Sequence, residues 1–149
     1  MIEPLRFSFE VECPQEHAFE TWTSRIGSWW PKSHSVTADP DLEVVLETRL
    51  GGRIYERTPD GTEHDWGEVT LWEPPRRFGY LWHLRRDRAD ATDVEIRFIA
   101  RDADTTTVEI EHRAWERLGA EGQGWRDRNR GGWESLLPHY VEAARLAVR

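Results

Sequence analysis

Between Leu42 and Trp115 the chain alternates apolar and polar residues in short runs, each closed by Gly, Pro or Asp, with no helical spacing between them. Period two sends successive side chains to opposite faces of a strand. LEVVLET ends near Gly51-Gly52, RIYERT at Pro59-Asp60-Gly61, and WGEVTLWE at Pro74-Pro75. FGYLWHL runs into the polar stretch RRDRADAT, and Asp102-Ala103-Asp104 separates DVEIRFIA from TTVEIEHRAW. Short strands joined by such turn residues form an antiparallel meander. A meander this long has an apolar face that another element must cover.

The flanks supply that element. Leu5, Phe7, Phe9, Val11 and Cys13 alternate with Arg6, Ser8, Glu10 and Glu12 as an opening strand, and Pro14 stops it. From Pro14 to about Trp30, Ala18, Phe19, Trp22 and Ile26 recur at three and four residues, which predicts one or two short helices. Trp133, Leu136, Leu137, Tyr140, Ala144 and Ala147 show helical spacing over 133–148. Pro138 within that helix predicts a kink or a late start. The polar, glycine-bearing segment Ala120 to Gly132 reads as a flexible loop. The order predicts an α+β fold, a curved antiparallel sheet of about six or seven strands wrapped on a long C-terminal helix.

Parity predicts which side chains meet that helix. Val69, Leu71, Val94, Ile96, Phe98, Val108 and Ile110 are expected inward, while Trp66 and Trp72 cover the outer face or edge. Phe78, Tyr80 and Trp82 are expected inward, with His83 outside or at the rim.

A chain of 149 residues is the size of one domain. Its 28 acidic against 20 basic residues give a net charge of -8, the wrong sign for a nucleic-acid binder. No apolar run reaches the roughly 20 residues that cross a bilayer, and MIEPLRFSFE lacks a basic-then-apolar leader, so a cytoplasmic protein is expected. The single Cys13 excludes an intrachain disulfide or a multi-thiolate metal site, and the six His show no paired ligand spacing. No GxSxG, P-loop or GxGxxG occurs, so no catalytic residue, metal or cofactor is assigned. Acid–base chemistry in a closed pocket needs no local motif and stays open.

Several pieces recur in order: Val11-Glu12-Cys13-Pro14, Ala18-Phe19, Trp22-Thr23, Trp29-Trp30-Pro31, Gly51-Gly52-Arg53, GEVTLWEPPRRFGYLW, VEIEHRAW, and Gly132-Trp133 with Leu136 and Leu137 behind. This ordered set resembles the bacterial proteins similar to the activator of the heat-shock chaperone ATPase, within the START-like, Bet v-like helix-grip superfamily. The resemblance implies a cavity between sheet and terminal helix, but no single reaction, since the fold serves lipid carriers, cyclases, hormone receptors and co-chaperone modules. Animal and fungal activators carry a further docking domain for which 149 residues leave no room, so stimulation of the chaperone ATPase is not expected.

On that fold, nine Trp point to an apolar or aromatic small-molecule ligand. The candidate ligand-binding residues are Trp29, Trp30, Trp115 and Trp133 at element ends, Tyr80, Trp82 and Phe98 on inward strand faces, and Leu137 and Tyr140 on the helix. His112 shares the apolar face of its strand and is either a polar anchor for the ligand or a core histidine satisfied by a neighbouring group. The second role is the commoner one for a lone His. Two alternatives stand beside binding: a cyclase- or hydrolase-like enzyme on an aromatic or polyketide-type substrate, with His112 as its acid–base group, and a co-chaperone or protein-interaction module. Nothing in the sequence sets an oligomeric state.

Overall fold

A computed structural model of the chain describes residues 2–84 and 86–146; Ala147 and Val148, expected in the terminal helix, lie outside the described residues. Strand β1 (Leu5–Val11) leads into helix α1 (Gln15–Trp22) and a 3₁₀ turn at Ile26–Ser28. The meander follows as β2 (Glu43–Leu46), β3 (Arg53–Arg57), β4 (Glu63–Glu73), β5 (Arg77–Trp82), β6 (Thr92–Ala100) and β7 (Thr106–Arg113). A 3₁₀ segment at Trp115–Glu121 then feeds helix α2 (Gly122–Leu146). All strands form one antiparallel sheet in the order β1-β7-β6-β5-β4-β3-β2, so the opening strand closes the far edge beside the last. The sheet curves around α2 in a helix-grip arrangement, with α1 tucked against the same helix: the Tyr140 hydroxyl donates to the Ala18 carbonyl at 2.8 Å.

Register follows the hydrophobic face wherever the strands are regular. Ile96 lies opposite Ile110 and Phe98 opposite Val108, while Phe78 and Tyr80 face Ile96 and Val94 from β5. Val69, Val94, Ile96, Phe98, Val108 and Ile110 are all buried. On the outer face Glu95 is also buried, not under the helix but under Arg77, Arg97 and Arg113, whose guanidiniums lie 3.3, 2.9 and 3.5 Å from it. Glu95 stands opposite Glu111, a repulsive pairing, and Arg113 bridges both carboxylates.

Strand β4 departs from simple parity, and the expectation for Trp66, Leu71 and Trp72 is corrected. Ile54 pairs with Gly67 but Tyr55 with Asp65, leaving Trp66 as an extra residue. Val69 pairs with Tyr80 but Leu71 with Gly79, leaving Thr70 extra. Each bulge inserts one residue and resets which face follows. Trp66 is therefore fully buried on the inner side, 5.3 Å from the Trp30 ring and 5.8 Å from that of Trp82. Trp72 turns inward onto Phe19 and Phe78, while Leu71 lies outside, against Gly79. His83 is buried rather than at the rim, with Nδ1 3.3 Å from the Arg86 carbonyl.

The segment expected as a loop, Ala120 to Gly132, is mostly helix, and Trp133 lies in mid-helix instead of opening it. The glycines disfavour helix locally, but tertiary anchoring overrides propensity. The Arg126 guanidinium donates to the carbonyls of Glu3 and Pro4, and Gln123 bonds Asp127 one turn on at 3.1 Å. The reversal into this helix uses left-handed backbone at Ala114 and Gly119 (φ 75° and 62°). The helix continues through Pro138, so the late start does not occur.

Candidate functional site

Three elements meet at one end of the gripped helix. The first is the segment after α1, where Trp30 leads into Ser33, His34 and Ser35. Its path is set by Glu56, a carboxylate with no exposed surface on β3. Glu56 accepts from the amides of Val36 and Thr37, the Thr37 hydroxyl and the Trp66 indole, at 2.6, 3.1, 2.7 and 2.8 Å. Burial raises its pKa, but these four donors more than offset that and hold it below the usual carboxylate range.

The second element is β5 and its continuation, presenting Tyr80, Trp82, Leu84 and Arg86. The third is α2, whose residues Trp125, Arg128, Asn129, Gly132, Trp133 and Leu136 form one stripe at three- and four-residue spacing. Between them lies an open cleft of about 280 Å³. Its walls are rigid rings: Trp30 packs on Trp82 at 5.9 Å and Tyr80 on Trp82 at 5.8 Å. Gly132 leaves space, since a Cβ there would meet nothing within 4 Å.

Of the ten candidate residues, Trp30, Tyr80, Trp82 and Trp133 line this cleft. The other six do not. Trp29 is buried against Trp22 and Tyr140 and donates to the Thr21 carbonyl at 2.6 Å. Phe98 packs under Phe19 and stacks on Phe78. Trp115 is fully buried, Tyr140 is held by Ala18, and Leu137 packs half-buried against the core. Leu84 shares the strand face of Tyr80 and Trp82 in FGYLWHL, whereas Arg86, Trp125, Arg128 and Asn129 fall in stretches that read as polar and carry no periodic signal.

His112 is the core histidine of its two alternatives. Trp133 donates its indole N–H to Nδ1 at 3.0 Å, which places the imidazole proton on Nε2, 2.7 Å from the Thr92 hydroxyl. Burial, with the Arg86 charge adding to it, lowers its pKa to about 3. Both nitrogens are engaged and Trp133 is the residue that faces the cleft, so His112 tunes the wall rather than the contents. Burial also pushes the Cys13 thiol up to about 11, leaving it protonated and unreactive at neutral pH. The Tyr80 phenol is raised by burial and stays a donor. Neither the Tyr80 hydroxyl nor the Trp82 indole N–H has a hydrogen-bond partner among the described residues, so the cleft wall offers two unused donors beside its rings. Among the described residues, no cluster of His, Cys, Asp and Glu could hold a metal ion, and no helix is long and apolar enough to cross a membrane.

Comparison with known proteins agrees with the fold. The chain is 33% identical to an anthrahydroquino-γ-pyrone synthase, Txn09, over 83% of its own length and 84% of that chain, with a TM-score of 0.57. CalC, a self-sacrificing resistance protein from Micromonospora echinospora, is 22% identical over 96% and 92% of the two chains, with a TM-score of 0.64. An HSP90 activator from Plasmodium falciparum is 20% identical over 95% and 94%, with a TM-score of 0.68. The last two share the fold. No curated protein matches the sequence significantly. The family model for activator of Hsp90 ATPase homolog 1-like proteins matches residues 12–143, nearly the whole described chain, and the protein belongs to that family.

Proposed function

We propose that the protein binds a compact, flat aromatic molecule in the cleft between β5, the segment after α1, and α2. One observation carries this: a cleft walled by Trp30, Tyr80, Trp82, Trp125 and Trp133 that the protein leaves unfilled. Small-molecule sites join apolar walls to a few placed polar groups, and the free Tyr80 and Trp82 donors fit that pattern. An apolar cavity of about 150 Å³ holds one benzene ring, so roughly two fused rings fit here.

Melting-temperature screening with planar bicyclic compounds tests the reading. A ligand at a hundred times its Kd stabilises the folded state by about 2.7 kcal/mol, several degrees for a chain this size. The stabilisation should shrink in Trp82→Ala, a half-buried position. A screen in which no planar compound raises the melting temperature, or in which hits act equally on Trp82→Ala, removes the proposal.

The 33% identity to a protein described as a synthase favours a second reading, turnover of a polyketide-type aromatic in the same cleft. Mass spectrometry of a bound compound separates the two. A binder returns it unchanged, whereas an enzyme alters its mass or isomer. Under the second reading Tyr80 and His34 are the cleft-lining groups to mutate, because His112 is enclosed.

A further inference from the structure

Resting on the reading of the cleft as an aromatic site, we propose that its ligand is an aromatic carboxylate whose acid group sits at the mouth between Arg86 and Arg128. The residues lining the cleft include both arginines and no Asp or Glu, in a chain of net charge -8. Many arginines elsewhere sit in ion pairs, among them Arg53 with Glu63 and Asp65, Arg77 and Arg97 with Glu95, and Arg117 with Asp93. Arg86 and Arg128 form no ion pair among the described residues. Instead they flank one ring, their guanidinium carbons 4.9 and 4.7 Å from the centroid of Trp125. The ring fixes two cations near each other without neutralising either.

Arg86 is held by main-chain oxygens. It donates to the Asp90 carbonyl at 2.6 Å and the Trp82 carbonyl at 3.4 Å, while its Nε is buried with no partner among the described residues. An unsatisfied donor on a partly buried cation costs stability unless something binds it. The Tyr80 hydroxyl and the Trp82 indole, without hydrogen-bond partners among the described residues, can donate as well. A cleft with two such cations and no carboxylate of its own suits an anion, and a carboxylate supplies two oxygens in the plane that a guanidinium fork matches. The rings would take the aromatic body and the arginines the acid.

A matched pair of probes tests this: 2-naphthoate and its neutral isostere 2-naphthamide, each titrated by calorimetry. The expected result is 2-naphthoate binding at least roughly tenfold more tightly, the scale of one charged hydrogen bond. Arg128→Gln, at an exposed position that folding does not need, should bring the two probes level, and Arg86→Gln should do the same if it folds. Arg130→Gln, on the same helix but outside the cleft, should keep the preference. Equal affinities in the parent protein, or a preference that survives Arg128→Gln or also vanishes in Arg130→Gln, overturns the acid proposal and leaves the aromatic reading standing. Binding of neither probe brings down the aromatic reading and the acid with it.

Discussion

Glu56 shows how one buried charge can shape a surface it does not reach. It shares strand parity with Ile54, so the alternation already turned a carboxylate toward the core. That signal was readable in RIYERT, but its meaning was not, because the donors come from Val36 and Thr37, about twenty residues away. Glu56→Gln keeps the shape and replaces one acceptor oxygen with a donor group facing other donors. Hydrogen bonds to charged groups contribute about 1.5–3 kcal/mol each, so the variant should lose at least about 2 kcal/mol in urea denaturation. Hydrogen exchange at the Val36 and Thr37 amides should accelerate by more than the global loss accounts for, since the segment lining the cleft loses its tether. Exchange that tracks global stability alone would assign Glu56 to the core and not to the cleft.

At the level of elements, the regular strands were legible and the irregular ones were not. Strands β5, β6 and β7 follow period two, and their inward residues match the parity reading. Strand β4 has the same alternation, yet two bulges move Trp66 and Trp72 inward, and a bulge depends on the partner strand, which local sequence does not contain. Helix α2 was half legible for a similar reason. Its apolar stripe from Trp133 onward is periodic, whereas the turns before it are held by Arg126 on the N-terminal segment and by Trp125 at the cleft. Those turns carry Arg128 and Asn129, so that part of the polar wall was hidden with them. Gly132 offers a test of how this helix shapes the site. Gly costs a helix interior roughly 0.5–1 kcal/mol relative to Ala, and a Cβ at Gly132 meets nothing. Gly132→Leu should therefore be at least as stable as the parent while its side chain fills the cleft, abolishing binding of any compound found by screening. Gly131→Ala, which also has open space, should gain stability and keep binding. Retained binding in Gly132→Leu would place the ligand elsewhere.

For the molecule as a whole, stability should depend on pH through its enclosed groups. The folded pKa of His112 lies near 3, below an unfolded value of about 6.5. Above pH 6.5 the imidazole is neutral in both states and its contribution is complete. Below that, unfolded chains take up a proton that the folded protein refuses until pH 3, so stability falls with pH at up to about 1.4 kcal/mol per unit. Glu56 and Glu95 are shifted down as well, Glu95 by its arginines acting against burial, but their contributions are lost only as pH falls below the normal carboxylate value. Cys13 acts at the other end: its thiol is raised, so stability declines as pH rises from about 9 toward 11. The interval from pH 7 to pH 5 therefore isolates His112 among the shifted groups. Urea denaturation across it should show a loss of roughly 2 kcal/mol. In His112→Gln the amide can still accept from Trp133 and donate to Thr92 but cannot be protonated, so the same interval should be nearly flat. In the parent protein, NMR should find the His112 ring neutral at pH 5 with the proton on Nε2. A charged ring at pH 5, or a slope that persists in His112→Gln, would mean that the Thr92–His112–Trp133 chain opens to water and that the wall behind the cleft is less closed than its geometry indicates.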